Sequence, residues 1–228
     1  MGSEMCIRDS MSTIAGQLAF VVGSYHLLKH NKGKGVMIGH MDDMDPRVVT
    51  VIGAGVAGTQ SILKAIDNKA LVKVVDSSQS KLDDLKSKYG TENVEYILSS
   101  KDSIQVSVNE SDLVIGSVYV VGKEAPKVVT KDMLSSMNPG TVMVDVSIDQ
   151  GGCFETSKPT THDSPTFLEN EIVHYCVTNM PGAVPLTATE ALNKVSLSYV
   201  KNLANNGIQN ALESDEHLRN GLNILDGR

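Results

Sequence analysis

The hexapeptide Gly53-Ala54-Gly55-Val56-Ala57-Gly58 has the G-x-G-x-x-G spacing. Alone that spacing says little. Here it directly follows the apolar run 47–52 and directly opens a helical pattern over 56–67, the context in which it reads as a phosphate loop. Gly53 lets the chain turn sharply off the strand. Gly55 has no side chain, so a pyrophosphate can approach the backbone, and Gly58 lets the helix pack close to the sheet. The free N–H groups of the first helical turn, beginning at Val56 and Ala57, then face the phosphates with the positive end of the helix dipole. About 20 residues beyond the loop, Lys73-Val74-Val75-Asp76 ends in an acid placed to accept hydrogen bonds from an adenosine ribose. Ser77 and Ser78 follow, with no adjacent arginine to hold a 2′-phosphate. The pattern therefore favours NAD over NADP, since Asp76 would repel the extra negative charge.

A second group of residues lies in the other half of the chain. Asp149 sits just past the apolar run 141–146, in the turn Ile148-Asp149-Gln150-Gly151-Gly152. An acid at the carboxyl end of a parallel strand faces the ligand crevice, and an aspartate in a turn as readily caps that turn. Spacing alone leaves both readings open. His162 and His174 are the tempting general bases, but reach must come before role. The polar loop around His162 accounts for the first, and packing within a strand for the second. The three cysteines, Cys6, Cys153 and Cys176, fit neither a metal site nor a disulfide framework. Cys153 and Cys176 lack a matched base and read as small buried residues.

These side chains need elements to position them, and the hydrophobic pattern supplies a regular alternation. Strands are expected at 47–52, 71–75, 94–98, 113–116, 141–146 and 172–177, the last reached after a long polar loop. Helices are expected at 56–67, 79–88, 102–108 and 131–137. Such alternation indicates an α/β Rossmann fold, a doubly wound parallel sheet with flanking helices. Upstream, Ile14, Leu18, Tyr25 and Leu28 recur at helical steps, giving an amphipathic helix over 12–28 with Ser12 or Thr13 as its cap. Residues 31–47 form a Gly- and Asp-rich connection whose Met37, Met41 and Met44 read as gap-filling contacts under a loop. A final helix spans 188–203, with Leu192, Val195, Tyr199 and Leu203 on one face. The expected organisation is a non-native leader at 1–10, a helix and loop at 11–46, a dinucleotide-binding domain at 47–185, and C-terminal helices at 186–228.

Composition removes several function classes. With 228 residues, 41% apolar and 21% charged, the chain is an ordinary globular protein. Its net charge of −7 argues against nucleic acid as a partner. With six Tyr, three Phe and no Trp, base-stacking platforms are not expected. No apolar run of about 18 residues is present, so no membrane span is expected. Reduced thiols and the lack of a signal pattern point to the cytoplasm.

The strings VDVSIDQGGCFETSKPTTHDSPTF, VHYCVTNMPGAVPLTATEAL and DLVIGSVYVVGKEAPKVVTKDML closely resemble alanine dehydrogenases. That family interconverts L-alanine with pyruvate and ammonium using NAD, and forms hexamers. The similarity runs from about Ser12 to the C-terminus. It implies that Ser12 sits near the cofactor phosphates, that Asp76 holds the ribose with Lys81 nearby, and that Ser99 or Ser100 approaches the adenine end. Val118 would line the nicotinamide side. Val146, Ser147, Ile148 and Asp149 would lie beside the nicotinamide, with Asp149 reaching the substrate, and Val177, Asn179 and Met180 would close the other side. The family's catalytic histidine and its carboxylate-holding lysine and arginine belong to an N-terminal lobe that no segment here matches. The expectation is thus a fragment, cut at both ends, that binds NAD and catalyses nothing alone. Two rivals differ in class: the cofactor domain of a proton-translocating transhydrogenase, and a non-catalytic NAD-binding regulatory module.

Overall fold

The computed structural model describes residues 2–120 and 123–227, and among these the side chains from residue 9 onward. Two compact units are present, one of Ala15–Met180 and one of Met1–Ile14 with Pro181–Arg228.

The larger unit is built on a seven-stranded sheet: β1 (Val48–Ile52), β2 (Leu71–Asp76), β3 (Val94–Leu98), β4 (Leu113–Gly116), β5 (Val142–Asp145), β6 (Thr166–Glu169) and β7 (Ile172–Tyr175), in the order β3-β2-β1-β4-β5-β7-β6. Every pairing is parallel except β6 with β7. The crossovers carry α2 (Val56–Asp67), α3 (Gln79–Tyr89) and α4 (Lys101–Glu110). Both β4 and β5 are buried at every residue, as continuous apolar runs in a sheet covered on both faces must be. Alternate residues divide between two cores. Val49, Val51, Leu113, Ile115, Val142 and Val144 pack with Ile62 and Ala65 of α2 and Leu82 of α3. On the opposite face Val114 and Met143 pack with Ile104 and Val108 of α4 and with Met133, Leu134 and Phe154.

The helix α1 (Gly2–His26) supplies Ala15, Ala19 and Phe20 to the first core. It approaches α2 so closely that a Cβ on Gly16 would overlap the Ala57 carbonyl, and Ser61 Oγ donates to Gly16 O at 2.7 Å. Because the helix runs on upstream of Ser12, neither Ser12 nor Thr13 caps it, contrary to the expectation from sequence. The run 131–137 is a 3₁₀ helix, Lys131–Ser136, not an α-helix. Met37, Met41 and Met44 are exposed, and Ile38 and Val36 fill the space under their loop instead. In the smaller unit the last long helix, α5, spans Pro185–Ser214 with a break at Gly207, where φ is +73°. Val195, Tyr199 and Leu203 are half-buried along it, but Leu192 is exposed. A short α6 (Glu216–Asn220) is capped by Asp215, whose Oδ1 accepts from His217 N and Leu218 N. Among the described residues no helix is long and apolar enough to cross a membrane.

The strand β6 has no counterpart in the sequence pattern, which reads as polar loop up to residue 172. A two-residue turn makes it: Glu169 pairs with Ile172, and Asn170 and Glu171 between them have φ of 52° and 61°. This is the double positive φ of a type I′ hairpin, usually signalled by Asn-Gly. Here the second residue is glutamate, so the signal is hidden and the backbone carries strain of about 1 kcal/mol. Replacement Glu171→Gly is expected to raise stability by about 0.5–1 kcal/mol in urea denaturation; an equal or lower stability would mean the turn holds no such strain.

Candidate functional site

At the carboxyl end of β1 the chain turns at Gly53, whose φ is +98°. Its N–H donates to Val75 O at 2.8 Å, and a Cβ here would lie 2.7 Å from Ser117 O. Gly55 is the N-cap of α2, and a Cβ on it would meet nothing within 4 Å. Gly58 is buried in the first turn of α2, where a Cβ would overlap the Gly53 carbonyl. The three glycines thus serve different ends. Gly53 and Gly58 are required by the protein's own backbone, and Gly55 leaves open space above a helix N-terminus that carries no side-chain cap. Val56 and Ala57 open that helix, with Val56 40% exposed.

Asp76, at the end of β2, is buried, and both its oxygens are already engaged. Oδ2 accepts Ala54 N–H at 2.7 Å and Oδ1 accepts Ser78 N–H at 2.8 Å. Each oxygen keeps a second lone pair for a ligand hydroxyl. The side chain therefore ties the glycine loop to the end of β2. Lys81 is exposed on α3, its N–H directed at the Ser78 cap. Ser99 N donates to Asp76 O at 2.9 Å, which puts the half-buried Ser99 at the end of β3 beside Asp76. Ser100 is committed to a reciprocal capping box with Ser103 at the start of α4.

The sheet's topological switch lies between β1 and β4, where strand order reverses and ligands of open α/β sheets collect. Beyond β4, Ser117 Oγ donates to Gly53 O at 2.7 Å, so this residue, unmarked in the sequence, braces the glycine loop from the far side of the switch. The segment after β4 runs beside the segment after β5. Ser147 Oγ donates to Val118 O at 2.8 Å, Ala125 N to Gln150 O at 3.0 Å and Val128 N to Cys153 O at 2.8 Å. Val146 is half-buried, and Ser147 and Ile148 are buried, so their side chains turn inward and their backbone lines the loop. Asp149 is the exception. It is exposed on a 3₁₀ turn, Ile148–Gln150, with no hydrogen bond or ion pair among the described residues.

Val177 is wholly buried and Met180 nearly so, both within the first core. Asn179 between them is exposed with φ +53°, and its carbonyl lies 3.4 Å from His162 Nε2. The structure thus brings His162 to Asn179 and leaves His174 elsewhere. His174 is fully buried, with Thr156 Oγ1 2.8 Å from Nε2, Nδ1 3.1 Å from Ile172 O, and its ring stacked on Phe167. Burial pushes its pKa below the ordinary 6.5. It is a neutral packing residue. Cys153 and Cys176 are buried too; burial, and then the Asp145 charge, push the Cys153 thiol well up and the Cys176 thiol to about 12. Neither is a nucleophile. Ser12 belongs to the smaller unit and is half-buried there. Among the described residues no group of three or more His, Cys, Asp or Glu is arranged for a metal. A cleft of about 230 Å³ at the β6 edge, lined by His26, His30, Lys32 and Phe167, contains none of the residues singled out from sequence.

Comparison with known proteins bears on the fold and the family. The family model for the alanine dehydrogenase/PNT C-terminal domain matches residues 19–228. The chain is 47% identical over 218 residues to an alanine dehydrogenase of Halomonas elongata, covering 96% of this chain and 58% of the relative. It is 45% identical to one of Mycolicibacterium smegmatis over the same shares. A solved L-alanine dehydrogenase superposes with a TM-score of 0.94 at 42% identity, over 98% of this chain and 62% of the other. A transhydrogenase from Sinorhizobium meliloti matches at TM-score 0.79 and 21% identity, over 94% of this chain and 60% of that one, and shares the fold. The chain belongs to the alanine dehydrogenase/PNT C-terminal domain family. It spans less than two thirds of the relatives it matches. Membership of that family, with the glycine loop in place, makes this a nicotinamide-cofactor domain.

Gly55→Val should leave thermal stability within about 0.5 kcal/mol of the parent, since nothing opposes a side chain there, yet abolish NADH binding measured by calorimetry. Gly58→Val should lose both, destabilising by about 1–3 kcal/mol through overpacking. Retained NADH affinity in Gly55→Val would show that the open space is not where phosphates bind.

The buried histidines set a pH dependence. His26 and His174 are both held below 6.5 by burial, so the unfolded chain binds more protons as pH falls through that value. Stability is therefore full above about pH 6.5 and lost on acidification below it, by up to about 1.4 kcal/mol per pH unit for each histidine. His174→Gln should flatten the slope between pH 6.5 and 5 in denaturant titrations; an unchanged slope would mean that His174 does not carry it.

Proposed function

We propose that this chain is the NAD-binding half of an NAD-dependent alanine dehydrogenase, with residues 186–228 assigned to the parent's substrate-binding half. The observation that carries the reading is the arrangement around the switch point. Open space above Gly55 and the uncapped α2 terminus lies beside the Asp76 carboxylate, and the exposed Asp149, without an ion pair among the described residues, stands on the turn just beyond β5. Identity of 43–47% to curated alanine dehydrogenases supports the choice of substrate.

In the parent reaction the cofactor supplies the acceptor for the hydride leaving the α-carbon of L-alanine. The amine becomes an imine, water adds, and ammonium leaves to give pyruvate. The chain's own contributions are binding and orientation. The N–H groups of Val56 and Ala57 face the pyrophosphate. Asp76 receives the ribose hydroxyls, with Lys81 and Ser99 at the adenine side. Val118 and the backbone of Val146, Ser147 and Ile148 border the nicotinamide, opposite Val177, Asn179 and Met180. Asp149 offers a carboxylate to the cationic iminium, where a fixed charge acts on the transition state. The substrate-holding groups belong to the remainder of the parent, which acts in the cytoplasm as a homo-oligomer, a hexamer by family resemblance.

Cofactor choice is the direct test. NADH should bind at least tenfold more tightly than NADPH, a gap of about 1.4 kcal/mol. Asp76→Ala should weaken NADH more than NADPH, closing the gap, and should lower both affinities because Ala54 N–H loses its acceptor. Equal affinities for NADH and NADPH in the unaltered chain, read by fluorescence titration, would sink the NAD assignment.

A further inference from the structure

The turn that bears Asp149 is exposed, yet two groups of opposite charge pin it from two sides. On the inside is Asp145, the last residue of β5 and wholly buried. Its Oδ1 accepts Ser147 N–H at 3.0 Å. Its Oδ2 accepts Cys153 N–H at 2.9 Å, Phe154 N–H at 3.3 Å and the Ser157 hydroxyl at 2.5 Å. The Cys153 thiol adds a contact to Oδ1 at 3.5 Å. The groups around both oxygens are all donors. On the outside is Lys127, an exposed residue whose ammonium donates to the carbonyls of Gly151 and Gly152, the latter at 2.7 Å. The carboxylate gathers the N–H groups of the loop and the ammonium gathers its carbonyls.

This arrangement also explains the second glycine of the Gln150-Gly151-Gly152 turn. Gly152 has φ +77°, and a Cβ there would lie 2.7 Å from Asp145 Oδ2 and 2.8 Å from Ser157 Cβ. The loop wraps the carboxylate too closely for any side chain. Because Ser147 N–H is bound on one flank of Asp149 and Cys153 N–H on the other, Asp149 projects from a segment held at both ends. The next segment is held in turn, since Ser147 Oγ reaches Val118 O.

We propose that Asp145 and Lys127 are positioning residues that together hold the 146–153 loop, and with it Asp149 and Val118, in the geometry that receives the nicotinamide half of the cofactor. The proposal rests on the reading of this loop as the nicotinamide side. Neither residue touches the cofactor; each acts through the backbone. An asparagine at 145 would turn an NH₂ toward a set of donors, leaving N–H groups unpaired in a buried site. A methionine at 127 keeps most of the length of the lysine and removes the charge.

The 228-residue chain and its Asp145→Asn and Lys127→Met variants are titrated with two probes, NADH and ADP-ribose. ADP-ribose reports the glycine loop and the adenosine side, Asp76 with Lys81 and Ser99, and nothing of the nicotinamide side. Asp145→Asn should weaken NADH by about tenfold or more, and Lys127→Met by a smaller factor, while ADP-ribose affinity stays within about twofold in both. The emission shift of bound NADH should decline in the same order. If the parent chain fails to bind NADH, the proposed function fails before this inference is reached. A parent chain that binds NADH no more tightly than ADP-ribose would overturn the inference, as would variants that lose both ligands equally or keep NADH at parental affinity. Should Asp145→Asn lack native circular dichroism, the exposed Lys127→Met decides alone.

Discussion

The approach of the first turn of α2 to the Gly53 carbonyl is the constraint on which the rest of the molecule depends. At Gly53 the chain leaves the central strand with a positive φ, and at Gly58 it passes back over that residue with no room for a Cβ. The Ser117 hydroxyl closes the contact from β4. This one crossing fixes where α2 lies on the sheet, and hence where its free N–H groups point. It also joins β1 to β4, the pair on either side of the switch point, so the crevice and the helix terminus that faces it are made by the same few atoms.

Two buried carboxylates extend that arrangement outward. Asp76 holds the loop after β1 and Asp145 holds the loop after β5, each at the carboxyl end of its own strand and each through backbone N–H groups. A buried carboxylate is costly unless donors surround it, and loops supply donors that strands have already spent on pairing. The same chemistry therefore stabilises the acid and orders the loop. Asp149, by contrast, makes no hydrogen bond or ion pair among the described residues, whereas Asp76 is committed to the loop through both oxygens.

Most of the larger unit was legible from the sequence because its signals are local. Strands β1 to β5 stand out as short apolar runs, and α2 carries its start in the glycine loop. An acid follows at the end of β2, at the spacing read from the sequence. What escaped detection depended on partners. The hairpin strand β6 hid behind a turn with glutamate at a left-handed position. Ser117, Lys127 and Asp145 carry no motif, since a serine after a strand or a lysine in a Pro-containing loop is ordinary until its acceptor is known. The methionines of residues 31–47 looked like buried filler and are exposed, because Val36 and Ile38 reach the core first.

The amino-acid sequence by itself determined the strand–loop–helix unit, the acid at the end of β2 and the family, because these rest on spacing within one segment and on the rigid period of helix and strand. The tertiary structure alone decided which histidine was sealed and which met Asn179, which loop residues turned side chains inward, and that Asp145 gathers Ser147, Cys153, Phe154 and Ser157. Those outcomes follow from hydrogen bonds and close contacts between segments whose separation in the chain says nothing of their distance in space.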